Sequence, residues 1–443
     1  MKKWVVLGMV FLSMTGITGR WSWLCYVQEM PVAQAAGLDH SSMGQELMFA
    51  KRDLVWQKDT DRYAHSGLYP QKVLYEAEQG TPSLTVTSPS ALLMEADSGM
   101  VLYEKDADTA RRPASVTKLM TMLLSFEALD AGRLKLTDSI TVSKHASDMG
   151  GSQVYLEPGE VQTVQDLLKC MIVSSANDAA VAMAEAIAGS EEDFVARMNE
   201  RAVELGMKNT HFENACGLEA AGHLMSARDI GILSRELLLK HPEVTDYTTI
   251  WMDTIVHRTK RGESEFGLAN TNKFLKKYEG ANGLKTGYTS AAGFSMSATA
   301  CRNGITLIAV VMGSSTKDIR YADAAALLNY GFANCTIYRD EKVLEGNDRI
   351  QIAGGVSDEV LITAESAFQF PLVGEAASMP VAKELTVLKS EAPVSKGEVV
   401  ARMDYYQNGN LLGGVNLCAA EDVEKQTYRH TLHKLFLHYL NGG

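Results

Sequence analysis

The sequence predicts a mixed domain of helices and strands, α/β of the α+β kind, followed by a small all-β domain. Three observations predict it. Apolar residues between about 115 and 190 fall in long runs at helical spacing. Two apolar runs, 292–300 and 305–312, flank Arg302-Asn303-Gly304 as a strand pair flanks its turn. Beyond Ile337 the texture changes to short alternating segments separated by Gly-, Pro- and Asn-containing turns. At 443 residues the chain exceeds one typical domain, and its apolar content supports two cores. The net charge of -12 argues against a nucleic-acid partner, which needs a basic patch.

Taken in order, the chain opens with Lys2 and Lys3, an apolar stretch from Trp4 to Ile17, and Ala33-Gln34-Ala35 as a small-x-small cleavage signal. This reads as a secretory signal peptide over 1–36, which places the protein outside the cytoplasm, with an uncleaved anchor as the alternative. Cys25 follows Trp23-Leu24, unlike a lipoprotein site. The five later cysteines are odd in number and lack tight spacing, so neither a disulfide framework nor a zinc site is implied. Cys216 is notable for its functional-looking neighbours. Residues 37–82 are polar and irregular, a mobile lead-in to a domain spanning 83–336.

Within that domain, Ala91–Glu95 and Val101–Glu104 flank Asp97-Ser98-Gly99 as a hairpin. Leu119, Met120, Met122, Leu123, Leu124, Phe126, Ala128 and Leu129 form a run apolar nearly all round, the mark of a buried helix. Thr163-Val164-Gln165-Asp166 resembles a capping box ahead of the apolar stretch Leu167–Val173, and a further helix runs from Asp178 to Ala188. In the second domain, 337–425, strands are expected at Ile350–Ile352, Glu359–Ile362, Leu385–Leu388 and Val399–Met403, in a small sandwich-like arrangement. In 426–443, Leu432, Leu435, Phe436, Tyr439 and Leu440 recur at helical spacing, which suits a helix on a membrane surface or one packed on the β domain.

Three patterns in fixed order carry the chemistry: Ser115-Val116-Thr117-Lys118, Ser175-Ala176-Asn177 and Lys285-Thr286-Gly287. A serine followed three residues later by lysine arises by chance about once or twice in a chain this long. Ser314-Ser315-Thr316-Lys317 also fits, but it follows a strand and reads as loop. Ser115 instead heads the buried helix, where positions three apart share a face, so its hydroxyl and the Lys118 amine can meet. Serine needs a base to become a nucleophile. For Lys118 to serve near pH 7, its pKa must fall about three units from ~10.4, worth roughly 4 kcal/mol; burial and a neighbouring cation, Lys285, can supply that. Ser175 can relay a proton to the leaving amine, and the Asn177 amide can hold Lys118 and a substrate carbonyl. Gly287 lets a substrate backbone pair closely with its strand, and the N–H groups of Ser115 and Tyr288 are candidate oxyanion donors.

These patterns match the three signatures of penicillin-binding proteins and class A β-lactamases. The wider text at Arg112–Thr121, Ser175–Ala179, Gly222–Asp229 and Gly283–Thr289 resembles the low-molecular-mass D-alanyl-D-alanine carboxypeptidases, over about residues 85 to 425. The resemblance implies a β-lactamase/transpeptidase-like catalytic domain with a β domain behind it. It also implies that Ser115 attacks the bond between two D-alanines of the peptidoglycan stem peptide, and that β-lactams acylate the same serine. Lys118, Ser175 and Asn177 would complete the catalytic set, and Lys285, Thr286, Gly287 and Tyr288 would bind substrate. Arg228 and Arg320 stand where the family has arginines near the substrate carboxylate, and a two-point guanidinium contact suits that group. Glu200, Glu204, Glu213, Glu219 and Glu236 lack the sequence context of the β-lactamase deacylating glutamate, so efficient lactam hydrolysis is not expected. His145, His211, His223 and His257 show no paired metal spacing, and the chemistry calls for no metal or organic cofactor.

Overall fold

A computed structural model describes residues 84–346 and 348–432. The expected signal peptide, the lead-in 37–82 and residues 433–443 of the terminal helix lie outside them. Residues 428–432 are helical, and no helix among the described residues is long and apolar enough to cross a membrane.

Strands β1 (Ser90–Glu95) and β2 (Val101–Lys105) form the expected antiparallel hairpin. Its turn is held by the Glu95 carboxylate, which accepts from the backbone N–H groups of Asp97 and Ser98 at 3.1 and 2.8 Å. A 3₁₀ turn, Ala114–Thr117, leads into α1 (Lys118–Asp130), which is buried on nearly every side from Lys118 to Phe126. β3 (Ser139–Thr141), α2 (Lys144–Ser147) and β4 (Val161–Thr163) precede α3 (Val164–Val173). Thr163 caps α3 as its sequence predicts, accepting from the Asp166 N–H at 3.1 Å and donating to the Asp166 carboxylate at 2.8 Å. The next helix, α4 (Asn177–Ala188), begins one residue earlier than expected, so Asn177 is its first residue. Its buried Ala179, Ala180, Ala182 and Ala184 are small enough to let neighbouring helices approach closely.

The chain continues through α5 (Glu191–Glu204), α6 (Ala227–Lys240), α7 (Val244–Thr248) and the hairpin β5 (Met252–Thr259) and β6 (Gly262–Ala269). Then come β7 (Ala281–Thr289), β8 (Gly293–Arg302), β9 (Ile305–Ser314) and α8 (Lys317–Asn334). The β8–β9 turn has positive φ at Asn303 (51°) and Gly304 (79°), the conformation its Asn-Gly pair favours. Ser314-Ser315-Thr316-Lys317, expected to be loop, is instead the junction between β9 and α8. Ser314 is buried and shares a 2.6 Å hydrogen bond with Ser88.

The main sheet runs β2-β1-β9-β8-β7, with every neighbouring pair antiparallel. Its centre is apolar on both faces. Leu92, Met94, Ile308, Val310 and Met312 point into the core formed with α1 and α3–α6, while Ala91, Leu93, Leu307, Ala309 and Val311 point into the core under α8. The strand period of two thus sends alternate residues to two cores, which explains the continuous apolar runs. The topology leaves β7 at an open edge.

After α8 the chain enters β10 (Cys335–Asp340), β11 (Arg349–Gln351), β12 (Glu359–Ala364), β13 (Phe368–Val373), β14 (Ala382–Val387), β15 (Val399–Gln407) and β16 (Asn410–Ala419). These make a five-stranded sheet, β11-β12-β16-β15-β14, and the pair β10-β13. Their own core centres on Tyr405, stacked on Phe368 at 3.7 Å with its hydroxyl on Asp340 at 3.0 Å.

Candidate active site

Three termini converge beside the open edge of the sheet. Ser115 lies in the 3₁₀ turn that starts the buried helix, Ser175 and Asn177 at the α3–α4 junction, and Lys285–Gly287 on β7. The turn passes so close to β7 that a Cβ at Gly287 would come within 2.7 Å of the Pro113 carbonyl oxygen and 3.1 Å of the Ser115 nitrogen. Glycine at 287 is therefore required by the nucleophile's own backbone, and not only by a substrate strand as the sequence suggests.

Lys118 is wholly buried, and its Nζ reaches three acceptors: Ser115 Oγ at 3.2 Å, Asn177 Oδ1 at 2.6 Å and the Cys216 carbonyl at 2.8 Å. The two shorter bonds fix the amine. When the proton aimed along the longest contact is lost, the lone pair faces the Ser115 hydroxyl, which is the arrangement a general base needs. Burial lowers the Lys118 pKa to about 8, and the nearby Cys216 and Asp178 partly oppose that. Ser175 takes a left-handed backbone, φ 61°, which few serines adopt outside strained functional positions. Its Oγ accepts from Lys285 Nζ at 2.7 Å, and the same amine donates to the Thr286 carbonyl at 3.0 Å. Burial also drives Lys285 well below its ordinary value, helped by the charges of Lys118 and Arg320. The sequence suggests burial and the Lys285 cation together as what lowers Lys118; burial is the main cause there, and the mutual repulsion is expressed at Lys285.

A family model for D-alanyl-D-alanine carboxypeptidase matches residues 76–316, and one for the penicillin-binding protein 5 C-terminal domain matches 332–425. The chain belongs to the D-alanyl-D-alanine carboxypeptidase family. It is 39% identical over 347 residues to D-alanyl-D-alanine carboxypeptidase DacF of Bacillus subtilis, covering 78% of this chain and 88% of that one. To DacC of Escherichia coli it is 32% identical over 369 residues, with 79% and 88% covered. The crystal structure of penicillin binding protein 5 from Haemophilus influenzae superposes with a TM-score of 0.66 at 30% identity, covering 78% of this chain and 100% of that one.

Of the arginines that the family resemblance singled out, Arg320 alone lies against the lysine-threonine-glycine strand. It is buried on α8, its Nη1 is 3.4 Å from the carbonyls of both Gly287 and Ser295, and its guanidinium lies over the rings of Tyr321 and Phe294. Arg228 is engaged elsewhere, at the start of α6, with Asp108 at 2.7 Å and Glu104 at 2.6 Å. Tyr288 is exposed, its ring stacked on Phe294 at 4.2 Å. The Asn177 amide spends one N–H on the Gly150 carbonyl at 2.6 Å, which ties the loop ahead of Tyr155 to the site.

The chain also brings in residues that the three patterns do not contain. Cys216 contributes its carbonyl; burial raises the pKa of its thiol, which stays out of the chemistry. That carbonyl is aimed by Asn214, whose Oδ1 accepts from the N–H groups of Gly217 at 2.7 Å and Leu218 at 3.1 Å. Gly217, at φ 89°, touches Ala114, where any side chain would collide with the carbonyl oxygen at 2.0 Å. His223 braces the same loop: its Nδ1 accepts from the Glu213 N–H at 3.1 Å, so Nε2 carries the proton and donates to Thr117 Oγ1 at 2.7 Å. Burial brings its pKa down to about 4, which keeps the ring neutral. The sequence signal for this loop was its turn chemistry, Asn214 followed by Gly217.

Proposed function

We propose that the protein is a serine D-Ala-D-Ala carboxypeptidase that acts outside the cytoplasm on the pentapeptide stems of peptidoglycan and is acylated by β-lactams. The observation that carries the assignment of roles is the Lys118 amine within 3.2 Å of the Ser115 hydroxyl, with the Lys285–Ser175 pair facing them. Ser115 Oγ attacks the carbonyl carbon of the penultimate D-alanine while Lys118 takes the hydroxyl proton. The tetrahedral oxygen is held by the backbone N–H groups of Ser115 and Tyr288. As the amide C–N bond breaks, Ser175 passes a proton to the departing nitrogen and takes one from Lys285, which is refilled by the proton that Lys118 took from Ser115, so the hydroxyl proton ends on the released amine. The terminal D-alanine leaves, and water then cleaves the Ser115 ester. The substrate's free carboxylate is bound by Thr286, Lys285 and Arg320. A β-lactam follows the first half of this route, but its leaving nitrogen remains tethered, so the ester persists.

The test is D-alanine release from diacetyl-lysyl-D-alanyl-D-alanine by the purified protein, together with labelling by fluorescent penicillin. Continuous release is expected, and Ser115→Ala should abolish both release and labelling while melting like the wild type. A single acylation without steady release would indicate a lactam-binding sensor, and labelling retained in Ser115→Ala would move the nucleophile elsewhere.

A further inference from the structure

Three helix ends meet at a corner of the helical core that the catalytic reading does not use. Asp130 is the last residue of α1, His241 follows the end of α6, and Glu243 precedes α7. His241 is 4% exposed and its ring stacks on Phe126 at 5.7 Å. Its Nδ1 points between two carboxylates, 3.2 Å from Asp130 Oδ2 and 3.8 Å from Glu243 Oε1. Despite that proximity, Nδ1 makes no aligned hydrogen bond among the described residues.

We propose that Asp130, His241 and Glu243 form a binding site for a divalent transition-metal cation of the zinc type. The three ligand atoms lie within 4.8 Å of one another. A tetrahedral centre with bonds of about 2.1 Å holds its ligands about 3.4 Å apart, so only small side-chain adjustments are required. One imidazole nitrogen and two carboxylate oxygens suit zinc better than magnesium or calcium, which take oxygen ligands. Asp130, Glu243 and the nearby Glu236 outnumber the cations Arg201 and Lys240 that also act on the His241 ring, so the corner keeps a negative charge for a cation to offset. The side chain of Asp130 is about half exposed, which gives the ion an entry path and a water as its fourth ligand.

The ion is structural. Lys118 stands twelve residues back along α1, about 18 Å at the helical rise, so the metal takes no part in the chemistry at Ser115. Its effect is to tie the far end of the nucleophile's helix to α6 and α7.

The experiment uses the full-length protein, stripped with EDTA, and compares wild type with Asp130→Asn and Glu243→Gln. Cobalt(II) is titrated while its visible d–d absorption is followed, and zinc is then used to displace it. Both variants retain every histidine and cysteine of the chain, so metal binding elsewhere is common to all three proteins. The wild type is expected to bind one equivalent at least tenfold more tightly than either variant. Zinc should raise the melting temperature of the wild type only, and EDTA should leave penicillin labelling unchanged. Equal cobalt and zinc affinity in wild type and Asp130→Asn, or a wild type without tetrahedral cobalt absorption, would overturn the site. The second result needs no variant. Loss of D-alanine release in Ser115→Ala bears on the catalytic reading alone and leaves this one standing.

Discussion

The acylation rate should follow the titration of a buried amine near pH 8. With the Lys118 pKa lowered from 10.5 to about 8, burial has made the neutral form cheaper by about 3 kcal/mol. At pH 7 about 9% of such an amine is neutral, at pH 9 about 91%, whereas an ordinary lysine is only about 0.03% neutral at pH 7. The second-order rate of acylation by a fluorescent penicillin, measured by stopped flow from pH 6 to 10, should therefore rise about tenfold per unit up to pH 7. It should gain about another tenfold between pH 7 and 9 and then level. The sign follows from the role: the base acts when deprotonated, so rate increases with pH. The charge of Lys118 lowers Lys285, so their two protons leave in coupled steps and the rising limb reports the pair. Lys118→Ala should abolish the rising limb. A rate flat between pH 7 and 9, or a rise centred near 10.5, would refute the assignment of Lys118 as the base.

Gly287→Ala should act on the nucleophile directly. Its new methyl would stand 2.7 Å from the Pro113 oxygen, so strand and turn must separate by roughly 0.7 Å to reach ordinary contact. Displacement on that scale should slow acylation about tenfold or more, and overpacking should lower stability by about 1–3 kcal/mol, read as a fall in melting temperature. Wild-type labelling rates would contradict the close approach. Arg320→Ala should raise KM for the carboxylate-bearing peptide tenfold or more with a smaller change in kcat, because a charge-assisted contact is lost. Arg228→Ala should leave both constants unchanged and lower stability by less than about 1 kcal/mol, as expected for a partly exposed ion-pair network. The opposite ranking in steady-state kinetics would return the substrate role to Arg228.

Much of this was legible in the sequence because it is written in side-chain periodicity. The apolar run from Leu119 to Leu129 implied a helix buried all round, and such a helix must bury Lys118 with it. Thr163 with Asp166, and Asn303 with Gly304, fixed a helix start and a strand turn from local chemistry alone. The hairpin Met252–Ala269 escaped detection because most of its residues are solvent-facing, so no apolar alternation marks it. The Cys216 contribution was hidden for a different reason: a backbone carbonyl has no residue signature, and only Asn214 and Gly217 hint at its placement. Arg228 and Arg320 could not be ranked from sequence because a guanidinium's partner is chosen by tertiary contacts. One has acidic residues from β2 and the following loop beside it, the other the carbonyls of β7 and β8.

The burial of Lys118, Lys285 and Arg320 in one site also defines the ligand it suits. All three have their pKa values lowered by burial, and the buried Asp178 is the carboxylate that acts on Lys118. Such a group is under-compensated until an anion enters, and both a peptide ending in a carboxylate and a β-lactam bring one. An anion beside Lys285 favours its charged form, so its pKa rises on binding and the complex must take up protons from solution. Calorimetric titration of Ser115→Ala with the diacetylated peptide, in two buffers of different ionisation enthalpy near pH 8, should therefore show uptake of a fraction of a proton. The Ser115→Ala substitution keeps the binding non-covalent. Proton release, or a heat independent of buffer, would mean that the carboxylate does not rest on Lys285, and the cationic wall of the cleft would need another purpose.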